Sequence, residues 1–529
     1  MIARDKLAVL DYKAIEARLL ERELEGRFLR LKELPPPDSL KGIKEACELI
    51  TQAMKQQKSI TVIGDYDVDG IVASAILSDF FAKLNYPIEV IIPNRFSDGY
   101  GLSPKLIEKI HSDLIITVDN GIMAHESAQI CKDRGIQLII TDHHAVPEVL
   151  PDADVIINPK QKDCPFPQKE ICGANVAWYL CAGLKTHLCA QINLGGFLDF
   201  LAFAIVADVM PLVEINRLLL KQGLKELSKS QKPPILALKE RLKKEQFNAQ
   251  DIAFFIAPLL NSAGRMEDAS LALAFLLSPT VEVARERLMQ LHHLNSARKE
   301  IEAKIFNEAL EQIDPSSELI CVHKAGWHEG VLGIVASRLC EHFGRPAFVL
   351  STKEGALKGS GRSVDEVDLI ALLHAHAEVL LQYGGHKGAV GIHIEKARLE
   401  EFVTSLCADL RTLPRAQEHT CDCMGELAFM DINKELLGLL ERFEPYGEGN
   451  PRPKFLSQAK ITRCKQVGAN HAHTSLVLRS GAHELRGIAF SQIHRLAPNE
   501  TITCLFSLAK DGFSAAPQLI IEKLQSKQN

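Results

Sequence analysis

The 529-residue sequence predicts an α/β protein: a parallel sheet wrapped by helices, a long bridging helix, a second and smaller α/β domain, and a C-terminal β-barrel. Three observations predict this. Between Ser59 and Ile157, β-rich apolar runs alternate with amphipathic stretches. From Thr280 to Ile313 there are 34 residues without Gly or Pro. After Arg452, five short strand-like runs follow one another with little helix between them. With 46% hydrophobic and 24% charged residues and a formal net charge of −6, the composition argues against disorder, collagen or coiled coil. Such a length calls for three or four domains, each with its own core.

Residues 1–50 read as an N-terminal helical segment with a Pro35–Pro37 linker. The opening MIARDKLAVLDYKAIEARLL is charged throughout and shows no secretory leader, so a cytoplasmic protein is expected. Residues 51–215 carry the strand runs SITVIG, IEVII, LIITV, QLIIT and DVIIN, spaced by helices, and form the first domain. Its most membrane-like window, Leu194 to Val213, contains Asp199 and Asp208 and reads as buried structure of a protein with no membrane partner. Residues 216–314 are helical; a helix over Thr280–Ile313 would reach about 50 Å at about 1.5 Å per residue, enough to bridge two domains. Residues 315–412 repeat an α/β pattern (ELICVH, a helix near Val331–His342, AFVLS, LKGSGRS, AVGIHI). Residues 413–529 hold AKITRCKQV, HTSLVLRS, HELRGIAF, TITCLFSLAK and PQLIIEKL, which suit an OB-type barrel. From Arg452 onward, 11 Lys plus Arg stand against four acids, a net of +7 in an otherwise acidic chain. Thirteen cysteines include no CxxC pair, so neither a zinc knuckle nor a disulfide framework is indicated.

The chemistry gathers at strand ends. GDYDVDG puts Asp65, Asp67 and Asp69 at alternate positions where the first strand runs into a loop; carboxylates so close repel unless a cation holds them. A solvated acidic turn is the bland alternative for this stretch. An EF-hand loop opens similarly but needs Glu at its twelfth position, which here is Ile76. LIITVDNG ends on Asp119, and QLIITDHH ends on Asp142, His143 and His144. Any one of these could cap a helix. Three successive strands of a parallel sheet, however, deliver them to one rim, where such folds bind ligands. Asp208, in the apolar AIVADVMPL, completes a carboxylate and imidazole cage suited to Mn²⁺ or Mg²⁺. As a buried acid held by backbone donors it has a structural alternative too.

Together GDYDVDG, VDNG, TDHH and ADVMPL resemble the four motifs of the DHH/DHHA1 phosphoesterase superfamily, in order and spacing. PNRFSDGYGLS, PLLNSAGRM, KGSGRS, GGHKGAVG and EPYGEGNPRPKF extend the resemblance over most of the chain, to the bacterial single-strand-specific 5′ to 3′ exodeoxyribonucleases of that superfamily. One departure is Ala389–Val390, where the family has Ala-Ala. The resemblance implies a DHH catalytic domain, a DHHA1 domain and an OB domain. It implies metal ligands at Asp67, Asp69, Asp119, His143 and Asp208, with Asp65, Asp142 and His144 supporting them or a second ion, and hydrolysis through two ions. The terminal 5′ phosphate falls to Arg95, Ser360 and Arg362, with Gly359 and Gly361 leaving amides open to the anion, and His386 and Arg265 beside the substrate path. From composition alone, a surface salt bridge is the better reading of Arg95 and Arg362, and only the motif context reverses it.

The basic barrel is expected to track the strand backbone, while Phe455, Phe490, Phe506 and Phe513 either stack bases or, the better reading for a small barrel, fill its core. The resemblance further implies roles in DNA recombination and repair, with single-strand-binding protein and a helicase as partners. A shorter relative acting on dinucleotides would lack the long helix, GEGNPRPKF and the barrel, and a non-catalytic DNA-binding scaffold would have lost ligands that are all present here.

Overall fold

The computed structural model describes residues 7–22, 28–353, 355–364, 367–413, 423–468, 471–490, 492–494, 496–511 and 514–526. The first domain is built on a five-stranded, wholly parallel sheet in the order Glu89–Ile91, Ile60–Ile63, Leu114–Val118, Gln137–Thr141, Val155–Ile157. The two strands Ile60–Ile63 and Leu114–Val118 are buried at every position, which is why they read as unbroken apolar runs rather than alternating ones. Parallel pairing brings their carboxyl ends to one rim. Helices Val68–Lys83 and Gly173–His187 cover the sheet, Leu198–Ala207 packs against both of them, and all three are buried nearly all round. Phe197–Ile205 of the Leu194–Val213 window thus lie inside a protein core, and among the described residues no helix is long and apolar enough to cross a membrane.

The bridging helix runs over Val281–Leu310, capped by Thr280, whose hydroxyl accepts from the Val283 amide. Its 30 residues span about 45 Å. Ala284, Leu288 and Leu291 lie in the core of the first domain, whereas Ile305 and Ala309 lie in that of the second. The second domain has a mixed sheet in the order Gln382–His386, Ala389–Glu395, Ala356–Arg362, Ala347–Lys353, Ile320–Ala325, with only the last pair parallel.

The five C-terminal runs form the strands Lys454–Val467, His473–Ser480, His483–Ala489, Thr501–Lys510 and Pro517–Ser526. Lys454–Val467 pairs with both His473–Ser480 and Thr501–Lys510, closing the barrel. Phe455 and Phe506 are fully buried in its core, so they fill rather than stack; Phe490 is exposed, and Phe513 lies outside the described residues.

The first 50 residues divide between two domains. Val9–Leu10 pairs in parallel with Gly425–Leu427, and Ile15 and Leu19 of the helix Tyr12–Leu20 sit in the barrel core. The helix Ile43–Lys55 instead buries Ile43, Cys47 and Ile50 in the first domain. The EPYGEGNPRPKF segment turns out to be the anchor between them. Arg217, buried on the helix Glu214–Lys229, donates to the carbonyls of Pro445 (3.1 Å) and Phe443 (2.9 Å), while Leu212 N–H donates to Glu448 O (2.7 Å). Hydrogen bonds to a charged donor contribute about 1.5–3 kcal/mol each. Arg217→Met is therefore expected to loosen the arm: limited proteolysis should cut faster within residues 440–455 than in the wild type, and an unchanged cleavage rate would contradict the anchor.

Candidate metal centre

Each metal-ligand candidate is fixed by an element end. Asp67 caps the helix Val68–Lys83, its carboxylate accepting from the amides of Asp69 (2.9 Å) and Gly70 (3.2 Å). Asp69, in the first turn of that helix, accepts from Gly173 N–H (2.5 Å) and Ala174 N–H (2.8 Å), so the positive end of the Gly173–His187 helix faces it. Asp65 accepts from the amide of Tyr66 (2.7 Å). A Cβ on Gly173 would stand 2.6 Å from the Asp119 side chain, and one on Gly70 2.4 Å from Asp65 N, so both positions accept only glycine.

Asp119 follows its strand with φ +63°, a left-handed conformation that a non-glycine residue holds only under constraint. Asn120 supplies much of that constraint: its amide donates to Ile63 O (3.0 Å) and Val118 O (2.9 Å), tying two strand ends together. Asn120 was not among the expected site residues, although its place after an apolar strand in VDNG is a visible signal.

Asp142 spends both oxygens on orientation. Oδ1 accepts from the amides of His143 (2.7 Å) and His144 (2.9 Å) and pairs with His144 Nδ1 (2.7 Å), and Oδ2 accepts from Ile122 N–H (2.9 Å). It is built as a positioning residue. His143 then points Nε2 at Asp119 Oδ1 (3.1 Å), Asp208 Oδ2 (3.6 Å) and Asp69 Oδ2 (3.7 Å). Asp208 stands at the end of the helix Leu198–Ala207.

Three donor sets have their ligand atoms within 4.8 Å of one another: Asp65, Asp67, Asp119; Asp69, His143, Asp208; and Asp119, His143, His144. Asp119 Oδ1 and Asp208 Oδ2 are buried with no hydrogen-bond partner among the described residues. Unpaired buried carboxylate oxygens are costly unless a cation takes the place of donors, and this oxygen-rich set with imidazole fits Mn²⁺ or Mg²⁺.

The electrostatics agree. Burial, then neighbouring carboxylates, push Asp65 and Asp119 well above the usual carboxylate range, Asp69 up to about 6 and Asp208 up to about 9. Burial and the charge of His144 hold His143 down to about 3. Burial would lower His144 as well, but Asp142 overrides it and raises it to about 9; the same contact holds Asp142 low against its own burial.

Beside this rim lies a cavity of about 730 Å³ between the first and second domains, with Arg95 and Ser360 in its walls. Arg95 stacks over Tyr66 at 4.6 Å. Sheet register sets Arg362 opposite Ala389 and hence His386, and Ser360 opposite Gly391, in successive rows of one face. Arg362 and His386 do not line that cavity; His386 lies within electrostatic reach of both Arg362 and His144. Arg265 is held down to about 10 by burial and by the charge of Arg95, with Asp67 pulling the other way, and it borders a second cavity between the domains.

Gly359 and Gly361 do not cradle an anion. They sit in a strand paired on both flanks, where a Cβ on Gly359 would come within 2.1 Å of Val349 O, so they serve close sheet packing.

Three family models match the chain: the DHH family N-terminal domain over residues 59–205, the DHHA1 domain over 316–412 and the RecJ OB domain over 423–523. Fold and site together therefore define a DHH/DHHA1-type protein with an appended OB barrel. The chain is 35% identical over 507 residues to the single-stranded-DNA-specific exonuclease RecJ of Salmonella typhimurium, covering 90% of this chain and 86% of that one. It is 34% identical over 527 residues to the Haemophilus influenzae protein of that name, covering 92% and 91%. The crystal structure of Thermus thermophilus RecJ in complex with Mn²⁺ matches with a TM-score of 0.82 at 29% identity, over 98% of this chain and 79% of that one. The chain belongs to the RecJ family.

Raised carboxyl values mean that protons compete with cations below about pH 6 for Asp69 and below about pH 9 for Asp208. Mn²⁺ affinity should thus rise with pH across that window, with protons released on binding. Titration calorimetry in buffers of different ionisation enthalpy checks this; affinity independent of pH would contradict it.

Proposed function

We propose that the chain is a metal-dependent, single-stranded-DNA-specific 5′ to 3′ exonuclease that releases mononucleotides by phosphodiester hydrolysis and acts in DNA recombination and repair. One observation carries the proposal: two buried carboxylate oxygens, from Asp119 and Asp208, accept no hydrogen bond among the described residues and converge on His143 Nε2 at the meeting point of strand and helix ends, next to a cavity bearing Arg95 and Ser360. A cation site beside an anion site is what removal of a terminal nucleotide needs. The RecJ relatives named above support the substrate.

Asp67, Asp69, Asp119, His143 and Asp208 would hold Mn²⁺ or Mg²⁺, with Asp65 as a further carboxylate for a second ion. When bound, the two ions supply an activated water and neutralise the leaving 3′ oxygen. The rest falls to the chain. Asp142 pairs with His144 Nδ1 and so aims the ring to donate to a phosphate oxygen or to the leaving group. Arg95, Ser360 and Arg362 grip the 5′ phosphate, a guanidinium matching two phosphate oxygens at once, while His386 and Arg265 line the approach. The barrel's Lys and Arg attract the strand backbone without regard to sequence. Single-strand-binding protein and a helicase are the proposed partners, in the cytoplasm.

Asp119→Ala and His143→Ala should each lower kcat/KM on 5′-phosphorylated single-stranded DNA by roughly a thousandfold, the loss of several kcal/mol of charge stabilisation, with the circular dichroism spectrum retained. Near-normal turnover in either variant would sink the assignment. Arg95→Ala should erase roughly ten- to a hundredfold of preference for a 5′ phosphate over a 5′ hydroxyl. An unchanged preference would remove Arg95 from the phosphate site.

A further inference from the structure

The cavity that holds Arg95 and Ser360 is larger than one phosphate needs. At about 730 Å³ it falls among the pockets, roughly 300–1,000 Å³, that enclose whole small-molecule ligands. Its floor is the open face of the second domain's sheet. Along that face Ser360 is followed, in one row across three strands, by Gly391 and Gly384. A Cβ on Gly384 would meet nothing within 4 Å, and one on Gly391 only Gly359 O at 3.9 Å, so packing asks for neither glycine. Two strand spacings of about 4.8 Å make this bare floor about 10 Å long.

Hydrogen-bond donors stand along both sides of the floor. The row toward His144 carries Arg362 and His386, and the row on the other side carries Lys358, His393 and Gln382, all three in the cavity wall. Successive rows are two residues apart, about 7 Å. Among the described residues of the wall the one acid is Glu329, and it is taken up by Lys358 (3.2 Å), two strands away from Gly384. A trough with cationic sides and no side chain on its floor suits an extended chain of phosphates, because glycine admits anionic oxygens close to the main chain and the flanking groups offset their charge.

We propose that this trough receives a 5′ triphosphate, with the α-phosphate at Arg95, Ser360 and Arg362 and the β- and γ-phosphates along Gly391 toward Gly384. This role rests on the exonuclease reading above and widens the class of 5′ end that the site accepts. Water adds to the phosphorus that joins the first and second nucleotides, the bond from that phosphorus to the 3′ oxygen of the first breaks, and the 3′ oxygen takes a proton. The first product is then an intact nucleoside triphosphate. The remaining strand begins with a 5′ monophosphate, and every later turnover releases a nucleoside monophosphate.

The test uses the full chain, the Gly384→Val and Lys358→Gln variants, and one single-stranded DNA sequence made with a 5′ monophosphate or a 5′ triphosphate. Hydrolysis is followed with Mn²⁺ in excess, the first product being identified by chromatography and mass spectrometry, and binding is read by fluorescence anisotropy with chelator present. The wild type should release a deoxynucleoside triphosphate first from the triphosphate strand, at a rate within about tenfold of that on the monophosphate strand. Gly384→Val, which fills the floor without meeting a neighbour, should slow the triphosphate strand by roughly ten- to a hundredfold and leave the monophosphate strand unchanged. Lys358→Gln should weaken binding of the triphosphate strand alone by about tenfold. A triphosphate strand left intact while the monophosphate strand is degraded, pyrophosphate or orthophosphate as the first product, or equal effects of both variants on the two strands would overturn the trough. Binding that favours the triphosphate end through Lys358, with neither strand hydrolysed, would support the trough and sink only the exonuclease reading.

Discussion

Carboxylates crowded into a buried rim repel one another, and the structure is organised around holding them there. Asp65, Asp67, Asp69, Asp119 and Asp208 come from three separate stretches of the chain and converge with their ligand atoms a few ångströms apart. In low dielectric such repulsion is screened far less than in water, so the groups take up protons or bind cations. The upward shifts of Asp65, Asp69, Asp119 and Asp208 express that choice.

The fold meets the repulsion with backbone. The Gly173–His187 helix turns its N-terminus on Asp69, and Gly173 allows that helix to reach Asp119 without a clash. Asn120 ties neighbouring strand ends, and Asp142 gives one oxygen to His143 and His144 and the other to the Ile122 amide. These residues act through the ligands without belonging to the cage. A parallel sheet suits the task because its carboxyl ends share one edge. The bridging helix and the Arg217 anchor then fix the second domain and the barrel around that edge, which puts Arg95 and Ser360 beside it.

Much of this was legible in the sequence because its signals are local. Strands buried on both faces read as apolar runs, acids at their ends read as a rim, and an uninterrupted stretch from Thr280 read as a bridge that the structure spans over Val281–Leu310. What escaped depends on contacts far along the chain. Val9–Leu10 joins a sheet more than 400 residues away, which no local pattern announces. Gly359 and Gly361 looked like an anion loop, but their strand is the middle of a sheet, and neighbours too close for a Cβ explain the glycines. Gly173 and Asn120 matter through distances that only packing sets. Phe455 and Phe506 were ambiguous between stacking and core because an aromatic ring serves both, and burial settles them as core.

The most direct measurement is anomalous diffraction at the manganese edge from crystals soaked in Mn²⁺. The account predicts density for two ions, one among Asp65, Asp67 and Asp119 and the other among Asp69, His143 and Asp208. Density elsewhere, or none at saturating Mn²⁺ with those side chains still converging, would contradict it.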